Sequence, residues 1–360
     1  MNTEMGVYII AEAGVNHNGS LDMALELVDT AARAGADAVK FQTFTAASLV
    51  ARSAPKADYQ RRTTDTGETQ FEMLRRLELT ESDHAVLMVR CREQGIAFLA
   101  TPFDSESLAL LCGRFSLETI KVSSGDLTNA PFLLEIGRVA RKVILSTGMS
   151  SLSDVENALG VLAHAMSASK APPGTAAFAE AYASTAGQAA LRQSVTLLHC
   201  TTEYPAPIAE VNLRAMDTMA AAFGLPVGYS DHTEGIHVPV AAVARGATLI
   251  EKHFTLDKTL PGPDHRASLN PVELAAMVAA VRDIEMALGD GIKRPTPAEI
   301  SNRIAARKSL VAAGPVLAGE PLALAVKRPG NGVSPFQYWA LQGRPASRDY
   351  HPDELIDDGQ

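Results

Sequence analysis

The sequence of 360 residues predicts an α/β fold, a (β/α)8 or TIM barrel followed by a small C-terminal domain. Three observations predict it. Short aliphatic runs alternate with helical patterns eight times between residues 7 and 288. These runs lack the polar alternation of half-exposed strands, so both faces are expected to be buried. No Gly-x-Gly-x-x-Gly follows the first run, which disfavours the alternative of an open doubly wound sheet.

Composition narrows the class of protein. The chain is 46% hydrophobic but only 5% aromatic, which predicts a large aliphatic core. The net charge is −9 and there is no basic tract, so a nucleic-acid surface is excluded, although a few local lysines can still bind a small anion. The three cysteines fit neither a zinc ribbon nor a disulfide framework. With no signal peptide or eighteen-residue apolar run, they indicate a reduced protein in the cytoplasm, without a membrane partner.

The first half of the predicted barrel begins with a strand at residues 7–11 and a helix that Ser20 caps. A second strand follows at 38–42. The segment 43–77 is long and polar, and a loop of that length inside a compact domain is usually functional. Thr80 to Asp83 resembles a capping box and opens the next helix, before a strand at 96–100.

The second half continues the alternation, with strands at 119–122, 143–145, 195–199, 225–227 and 247–250. A last helix runs from Asn270-Pro271 to Leu288. Between residues 167 and 193 the chain is rich in Ala, Ser, Gly and Pro, which predicts a surface insertion with little structure of its own. The predicted domains are a barrel at 1–290, a linker at 291–306 and a small α+β or mostly β domain at 307–360.

Barrel enzymes use the carboxyl ends of their strands, and here those ends are unusually polar. They carry Glu12, Lys40, Thr101, Lys121, Ser124, Ser146, Thr202, Tyr204, Ser230, His232, Glu251 and His253. Two lysines and several hydroxyls on one rim suit a phosphate, because lysine supplies charge and hydroxyls supply directional donors. Singly, each hydroxyl is explained equally well as a helix cap. Lysines at the ends of buried strands are harder to explain without a ligand.

The histidines His232 and His253 end two consecutive parallel strands, so both emerge at the same edge of the sheet. Two imidazoles there can share a divalent metal, and Asp231, Glu251 and Asp264 lie near them in sequence. Alternatively, each His sits in a polar network. Two protein ligands predict a weak, exchangeable site that suits Mn²⁺ or Mg²⁺ better than structural Zn²⁺.

Glu12 follows the first strand and is a candidate catalytic acid or base. The alternative is a salt bridge to Lys40 or Lys121. With the two histidines, Glu12 completes the predicted catalytic set.

Several motifs together resemble the sialic acid synthase family. They are residues 10–19 (IAEAGVNHNG), 39–43 (VKFQT), 101–103 (TPF), 121–126 (KVSSGD), 145–149 (LSTGM), 199–205 (HCTTEYP), 230–233 (SDHT) and 251–254 (EKHF). Residues 326–332 (VKRPGNG) resemble the antifreeze-like, or SAF, domain that follows the barrel in that family. The match covers nearly the whole chain in order.

The resemblance implies that phosphoenolpyruvate condenses with an open-chain N-acetylated amino sugar, releasing phosphate. It implies that a metal on His232 and His253 polarises the aldehyde and that Glu12, Tyr204 and Asp264 meet the sugar. It also implies a domain-swapped homodimer in which Arg328 of one chain reaches the other chain's site. The residues implied to hold phosphoenolpyruvate are Lys40, Thr101, Lys121, Ser124, Ser146 and Ser230.

Residues 202–205 and the long loop at 56–71 resemble the branch of the family that forms legionaminic acid. The expected sugar is therefore 2,4-diacetamido-2,4,6-trideoxymannose, with N-acetylmannosamine, the neuraminic acid precursor, as the alternative. Residues 318–325 look a few positions short for the small domain, which leaves open whether that domain reaches a partner's site. More distant alternatives are a metal-dependent barrel hydrolase, which would need further metal ligands, and a non-catalytic sugar-phosphate sensor.

Overall fold

The computed structural model describes residues 6–57, 60–61, 64 and 67–357 of the chain. They form two compact units, Met1–Gly289 and Asp290–Gln360. Each unit is described separately below.

The first unit contains one sheet of eight parallel strands. They are β1 (Tyr8–Gly14), β2 (Ala38–Thr43), β3 (Ala97–Pro102), β4 (Thr119–Val122), β5 (Lys142–Ser146), β6 (Val195–Cys200), β7 (Val227–Asp231) and β8 (Leu249–His253). The hydrogen-bonded order is β3-β2-β1-β8-β7-β6-β5-β4, and the end strands β3 and β4 contact each other. The sheet is thus closed, which confirms the predicted (β/α)8 barrel.

Helices follow the strands on the outside of the barrel. They are α1 (Leu21–Arg33), α2 (Ala46–Leu49), α3 (Gln70–Arg75), α4 (Glu81–Gln94), α5 (Ser105–Leu108), α6 (Ala130–Val139), α7 (Leu152–Met166), α8 (Thr175–Ala183), α9 (Thr185–Ser194), α10 (Arg214–Phe223), α11 (His237–Ala244) and α12 (Pro271–Leu288). Among the helices described, each falls short of the length and apolarity that a bilayer span requires.

The capping residues seen in the sequence define the helix starts. Ser20 accepts a hydrogen bond from the backbone of Met23, and Thr80 forms a capping box with Asp83. Asn270 does the same with Glu273 at the start of α12. Each cap satisfies amide groups that have no partner within the helix, so these starts are set locally.

The barrel interior is built in layers. Its lower layer is an apolar cluster of Ile10, Ala38, Leu99, Ile144, Leu198 and Leu249. Side chains on one face of a strand recur every second residue, so the next layer toward the carboxyl ends comes two positions later. There the sequence places Glu12, Lys40, Thr101, Ser146, Cys200 and Glu251. The two-residue period of the strands therefore places a charged layer directly above an apolar layer.

The segment 167–193 departs from the prediction. It forms helices α8 and α9, which pack on α7, rather than a surface insertion with little structure. Alanine has the highest helix propensity, and Ser184 caps α9. Buried Ala181 and Leu191 attach the pair to the main core. The Ser, Gly and Pro content indicated a loop, but the alanines decided the structure.

The polar segment after β2 also contains more structure than its composition suggested. Helices α2 and α3 lie within it, and Thr69 caps α3 with a capping box. An apolar cluster of Val15, Phe44, Met73 and Leu77, with Leu49, Leu74 and Phe103 packed against it, holds the segment on the barrel. Residues 58–59, 62–63 and 65–66 of the loop at 56–71 lie outside the described part of the chain.

The second unit is a small α+β fold. It contains α13 (Pro297–Ala306), the antiparallel pair β9 (Ser309–Ala312) and β10 (Leu324–Lys327), and α14 (Tyr338–Leu341). The short stretch 318–325 is ordered into the fold, because Leu322 and Leu324 are buried in the core of this unit. Its shortness therefore does not prevent local folding.

Candidate active site

A cavity of about 380 Å³ lies at the carboxyl ends of the strands. It is lined by all the site residues that the sequence predicted in the barrel: Glu12, Lys40, Thr101, Lys121, Ser124, Ser146, Thr202, Tyr204, Ser230, His232, Glu251, His253 and Asp264. Arg328, the remaining predicted residue, is an exposed residue that follows β10 in the second unit.

Strand register brings these residues together. Glu12 of β1 lies opposite Lys40 on β2 and opposite His253 on β8. Ser230 of β7 lies opposite Glu251 of β8. Since neighbouring parallel strands place paired side chains on the same face, residues separated by more than two hundred positions become direct neighbours.

Lys40 is the centre of the charged layer. Its Nζ lies 2.7 Å from Glu12 Oε2 and 3.5 Å from Glu251 Oε2, and it donates to Thr101 Oγ1 at 3.0 Å. Burial would lower the pKa of Lys40, but the two carboxylates outweigh it and raise the pKa. The ammonium group therefore stays charged in a buried position.

Glu251 joins the two lysines. Its Oε1 lies 3.4 Å from Lys121 Nζ and accepts a hydrogen bond from Ser230 Oγ at 2.9 Å. Burial would raise the pKa of Glu251, but Lys121 and Lys40 lower it to about 2. A carboxylate fixed between two ammonium groups positions both of them. The three donors of Lys40 are directed at Glu12, Glu251 and Thr101, whereas Lys121 keeps donors for another anion beside its ion pair with Glu251.

Ser124 and Thr202 lie close to a glycine on the next loop. The backbone N–H of Gly148 donates to Ser124 Oγ at 3.0 Å. A Cβ at Gly148 would overlap Thr202 Oγ1 and approach Ser124 Oγ to 2.8 Å. The position therefore requires glycine, because the backbone itself approaches the two hydroxyl groups.

The histidines are adjacent, with ring centroids 5.4 Å apart. His232 Nδ1 donates to the carbonyl of Thr201 at 2.8 Å, which leaves Nε2 as the nitrogen with a lone pair. Tyr204 stacks on His232 at 4.0 Å and meets His253 edge-on at 5.5 Å. Burial, followed by the nearby His232 and Lys40, lowers the pKa of His253 well below its usual range.

Neutral imidazole is the form that binds metal. Burial favours that form at His253, whereas at His232 the contacts with Cys200 and Thr201 outweigh burial and raise the pKa. Within the described residues, no group of three or more His, Cys, Asp or Glu side chains has metal-binding geometry. The described residues therefore do not form a closed structural metal site, and the two adjacent imidazoles are the donors that a more open site would use.

Two carboxyl groups complete the polar surface. Burial raises the pKa of Glu12, although Lys40 opposes this shift. The salt bridge to Lys40, which we considered as the alternative role of Glu12, is present in the structure. Burial also raises the pKa of Asp264, to about 7. Asp264, whose pKa is about 7, can hold or release a proton near neutral pH.

Asp231 does not belong to the site, although its position in sequence suggested support for the metal. It forms an ion pair with Lys252, and both side chains are fully buried. Its carboxylate also accepts hydrogen bonds from the backbone and hydroxyl of Thr233 at 3.0 Å. Alternation along the strand explains the difference, because Ser230 and His232 face the cavity and the residue between them faces outward.

Sequence reasoning missed several cavity residues. Gln42 lies two positions after Lys40 on the same strand face, and Cys200 lies 3.8 Å from His232 Nδ1 through its sulfur. The period of two could have identified both. Most of the apolar residues of the cavity had no such signal, since they come from the loops after β1, β2 and β3. They are Val15, Leu49, Val50, Met73, Leu74, Leu77 and Phe103.

The chain is similar to known proteins over most of its length. The profile of the NeuB family matches residues 27–293. The chain is 47% identical to the N,N'-diacetyllegionaminic acid synthase of Campylobacter jejuni, over 97% of this chain and 98% of that protein. It is 43% identical to the enzyme of the same name from Legionella pneumophila, over 95% and 90% of the two chains.

A solved structure is also similar, that of an N-acetylneuraminic acid (sialic acid) synthetase from Leptospira borgpetersenii in complex with citrate. It aligns with a TM-score of 0.66 at 32% identity, over 84% of this chain and 94% of that one.

Proposed function

This chain belongs to the NeuB family, and we propose that it condenses phosphoenolpyruvate with 2,4-diacetamido-2,4,6-trideoxymannose to form N,N'-diacetyllegionaminate and phosphate. The family assignment confirms the resemblance to the sialic acid synthases. The names of the Campylobacter and Legionella relatives support this sugar over N-acetylmannosamine.

One observation carries the proposal: a single cavity contains two buried lysines, several hydroxyls and two adjacent imidazoles. Joining an anionic enol to an aldehyde requires a cationic seat beside an electrophile-activating group. A metal-dependent hydrolase would need more protein ligands than the two imidazoles offer. A sensor would have no need to place acid–base groups next to the anion seat.

In this proposal, Lys40 and Lys121 hold the phosphate and carboxylate of phosphoenolpyruvate. Glu251 keeps the two ammonium groups in place, at 3.5 Å and 3.4 Å respectively. The remaining donors to the anion are the hydroxyls of Thr101, Ser124, Ser146 and Ser230.

The amino sugar binds on the histidine side of the cavity, where Tyr204 and Asp264 contact it. A Mn²⁺ or Mg²⁺ ion held by His232 and His253 would supply Lewis acidity toward the sugar aldehyde. The hydrogen bond from His232 Nδ1 to Thr201 fixes the tautomer that this ligation needs.

The condensation then proceeds in three steps: carbon–carbon bond formation, addition of water and loss of phosphate. The methylene carbon of phosphoenolpyruvate attacks the aldehyde carbon, and the aldehyde oxygen takes up one proton. Water adds to the cationic carbon left behind and releases one proton, which Glu12 is placed to accept. The resulting tetrahedral centre breaks its carbon–oxygen bond to phosphate, and its hydroxyl proton passes to the departing phosphate as the ketone forms. The proton that Glu12 accepts balances the one that the aldehyde oxygen took up.

Phosphate release tests the reaction. Turnover is expected only when phosphoenolpyruvate, an N-acetylated amino sugar and a divalent ion are all present. Mass spectrometry of products from a mixture of the diacetamido trideoxy sugar and N-acetylmannosamine identifies the preferred substrate. A dominant neuraminate product would favour the alternative sugar, and the absence of any condensation product would refute the synthase.

The metal has its own test. Dialysis against a chelator is expected to abolish turnover, and added Mn²⁺ or Mg²⁺ to restore it. His253→Gln is expected to raise the metal concentration for half-maximal activity by more than about tenfold, since one of two ligands is lost. Electron paramagnetic resonance of bound Mn²⁺ measures this affinity without turnover, and unchanged spectra in the variant would exclude His253 as a ligand.

We also propose that the second unit is an antifreeze-like domain and that the active form is a domain-swapped homodimer in the cytoplasm. The motif at Arg328 supports this proposal through the family resemblance. Mixing inactive Lys121→Met and Arg328→Ala chains should restore about a quarter of wild-type activity if Arg328 acts in the partner's site, because half the dimers are mixed and each has one intact site. No recovery in proven mixed dimers would contradict the swap.

A further inference from the structure

We infer that the apolar side of the cavity selects the sugar, with Leu74 and Gln70 as specificity-determining residues. This inference rests on the proposed function. It assigns the choice between a methyl-rich amino sugar and a hydroxyl-rich one to the segment after β2, whereas the residues at the strand ends carry out the condensation.

The apolar wall, defined as Val15, Leu49, Val50, Met73, Leu74, Leu77 and Phe103, lines the same cavity as the charged layer. Its residues are fixed by their own packing. Met73 and Leu77 are buried in one cluster with Phe44, whose ring meets Phe103 edge-on at 6.1 Å. A surface held this way is preformed, so it presents a constant shape to a ligand.

Leu74 and Leu49 belong to the wall but are only half-buried, so part of each side chain faces the open cavity. Ligand binding becomes more favourable when a methyl group of the ligand displaces water from apolar surface of this kind. A hydroxyl group brings no such gain, because it must give up hydrogen bonds to water on entering.

Gln70 adds a polar group at the edge of this wall. It lies on α3 one turn before Leu74, and its Nε2 donates to Gln60 Oε1 at 3.3 Å. Both carboxamides line the cavity. A carboxamide offers a donor and an acceptor, which are the groups that a second acetamido substituent can pair with. Methyl-accepting and amide-accepting surfaces therefore lie side by side.

The diacetamido trideoxy sugar fits this pair of surfaces. Compared with N-acetylmannosamine, it replaces a hydroxymethyl with a methyl and a hydroxyl with an acetamido group. Both changes add apolar surface, and the second also adds an amide. Replacing one such contact in an apolar pocket changes kcat/KM by about 10-fold to 200-fold.

The test compares two sugars in two variants. In Leu74→Gln, kcat/KM for the diacetamido trideoxy sugar should fall at least about tenfold, while that for N-acetylmannosamine stays level or rises. Gln70→Leu should lower kcat/KM for the same sugar by about tenfold through its KM. The KM for phosphoenolpyruvate should stay within about twofold of wild type in both variants.

Val86→Gln is the matched control. Val86 lies on α4, is 42% exposed and does not line the cavity, so the same apolar-to-amide change should leave both sugars unaffected. Equal losses for both sugars in Leu74→Gln would show a merely structural role and would overturn the inference. Failure of the wild type to use either sugar would instead refute the proposed function, so the two failures are distinguishable.

Discussion

The floor and the wall of the cavity are built in different ways. The floor is the charged layer at the strand ends, where Lys40 of β2 and Lys121 of β4 both lie within 3.5 Å of Glu251 on β8, a strand adjacent to neither. The wall comes from loops and consists of aliphatic side chains packed on one another. Interaction energy in the floor comes from a few contacts between charged groups. In the wall it comes from many weak apolar contacts.

The difference indicates where chemistry and selectivity can vary independently. A buried charge must be paired at short distance, so substitutions in the floor are expected to be severe. Each apolar contact contributes only about 1 kcal/mol, so the wall can change gradually without disturbing the reaction. Four predictions test this comparison.

The largest effect is expected in the floor. Lys121→Met should lower kcat/KM for phosphoenolpyruvate by about 1,000-fold, because it removes a preorganised cationic donor and leaves Glu251 with one ammonium partner instead of two. Steady-state kinetics measures this loss. Lys142→Met, at the exposed start of β5 on the opposite end of the barrel, is the control and should behave as wild type. A loss below about tenfold would contradict the phosphate seat.

The free energy of unfolding is expected to depend on pH because of Asp264. Its pKa is raised by burial to about 7, from an unfolded value of 3.8. As pH rises, the carboxyl group of Asp264 therefore loses its proton in the unfolded chain before it does so in the folded protein. The free energy of unfolding falls between about pH 4 and pH 7, and above pH 7 this loss of stability stays constant. Asp264→Asn should raise the free energy of unfolding at pH 8 by about 2–4 kcal/mol, but not near pH 4.

Urea denaturation at the two pH values measures this difference. A gain that is the same at both values would indicate packing rather than ionisation. Activity with the sugar should fall in the same variant, as expected where a site trades stability for function.

Substitution of Gly148 tests how closely its backbone must approach the hydroxyl groups of Ser124 and Thr202. Gly148→Ala should raise the KM for phosphoenolpyruvate by about tenfold, because the new methyl group overlaps Thr202 Oγ1 and displaces Ser124. Gly113→Ala, where the added carbon would meet no atom within 4 Å, is the control. An unchanged KM would show that Ser124 does not contact the anion.

The smallest effect is expected in the wall. Leu49→Ala should raise the KM for the sugar about twofold to fivefold and leave that for phosphoenolpyruvate unchanged, since it removes only part of a distributed apolar contact. Leu288→Ala, which truncates a leucine that is 52% exposed, is the control. A hundredfold loss at Leu49 would break the comparison, because it would make one wall residue as important as a floor residue.

The sequence was most informative where a local period governs position. Parallel strands alternate every second residue, so the polar residues at their carboxyl ends could be assigned to one rim, and the structure places all twelve of them in one cavity. Helix starts at Ser20, Thr80 and Asn270 were predictable for the same reason, since a cap depends on residues three positions apart. The helices at 175–194 were missed because alanine content and turn-forming residues gave opposing signals.

The sequence by itself determined the barrel, the family and the identity of the charged floor, because strand period and short motifs are local properties. Only the tertiary structure decided that Asp231 pairs with Lys252 outside the site and that the segment after β2 supplies an apolar wall. Pairing partners and loop packing join residues far apart in the chain, and a local pattern contains no information about which of them will meet. The division of the cavity into a charged floor and an apolar wall is therefore visible only in three dimensions.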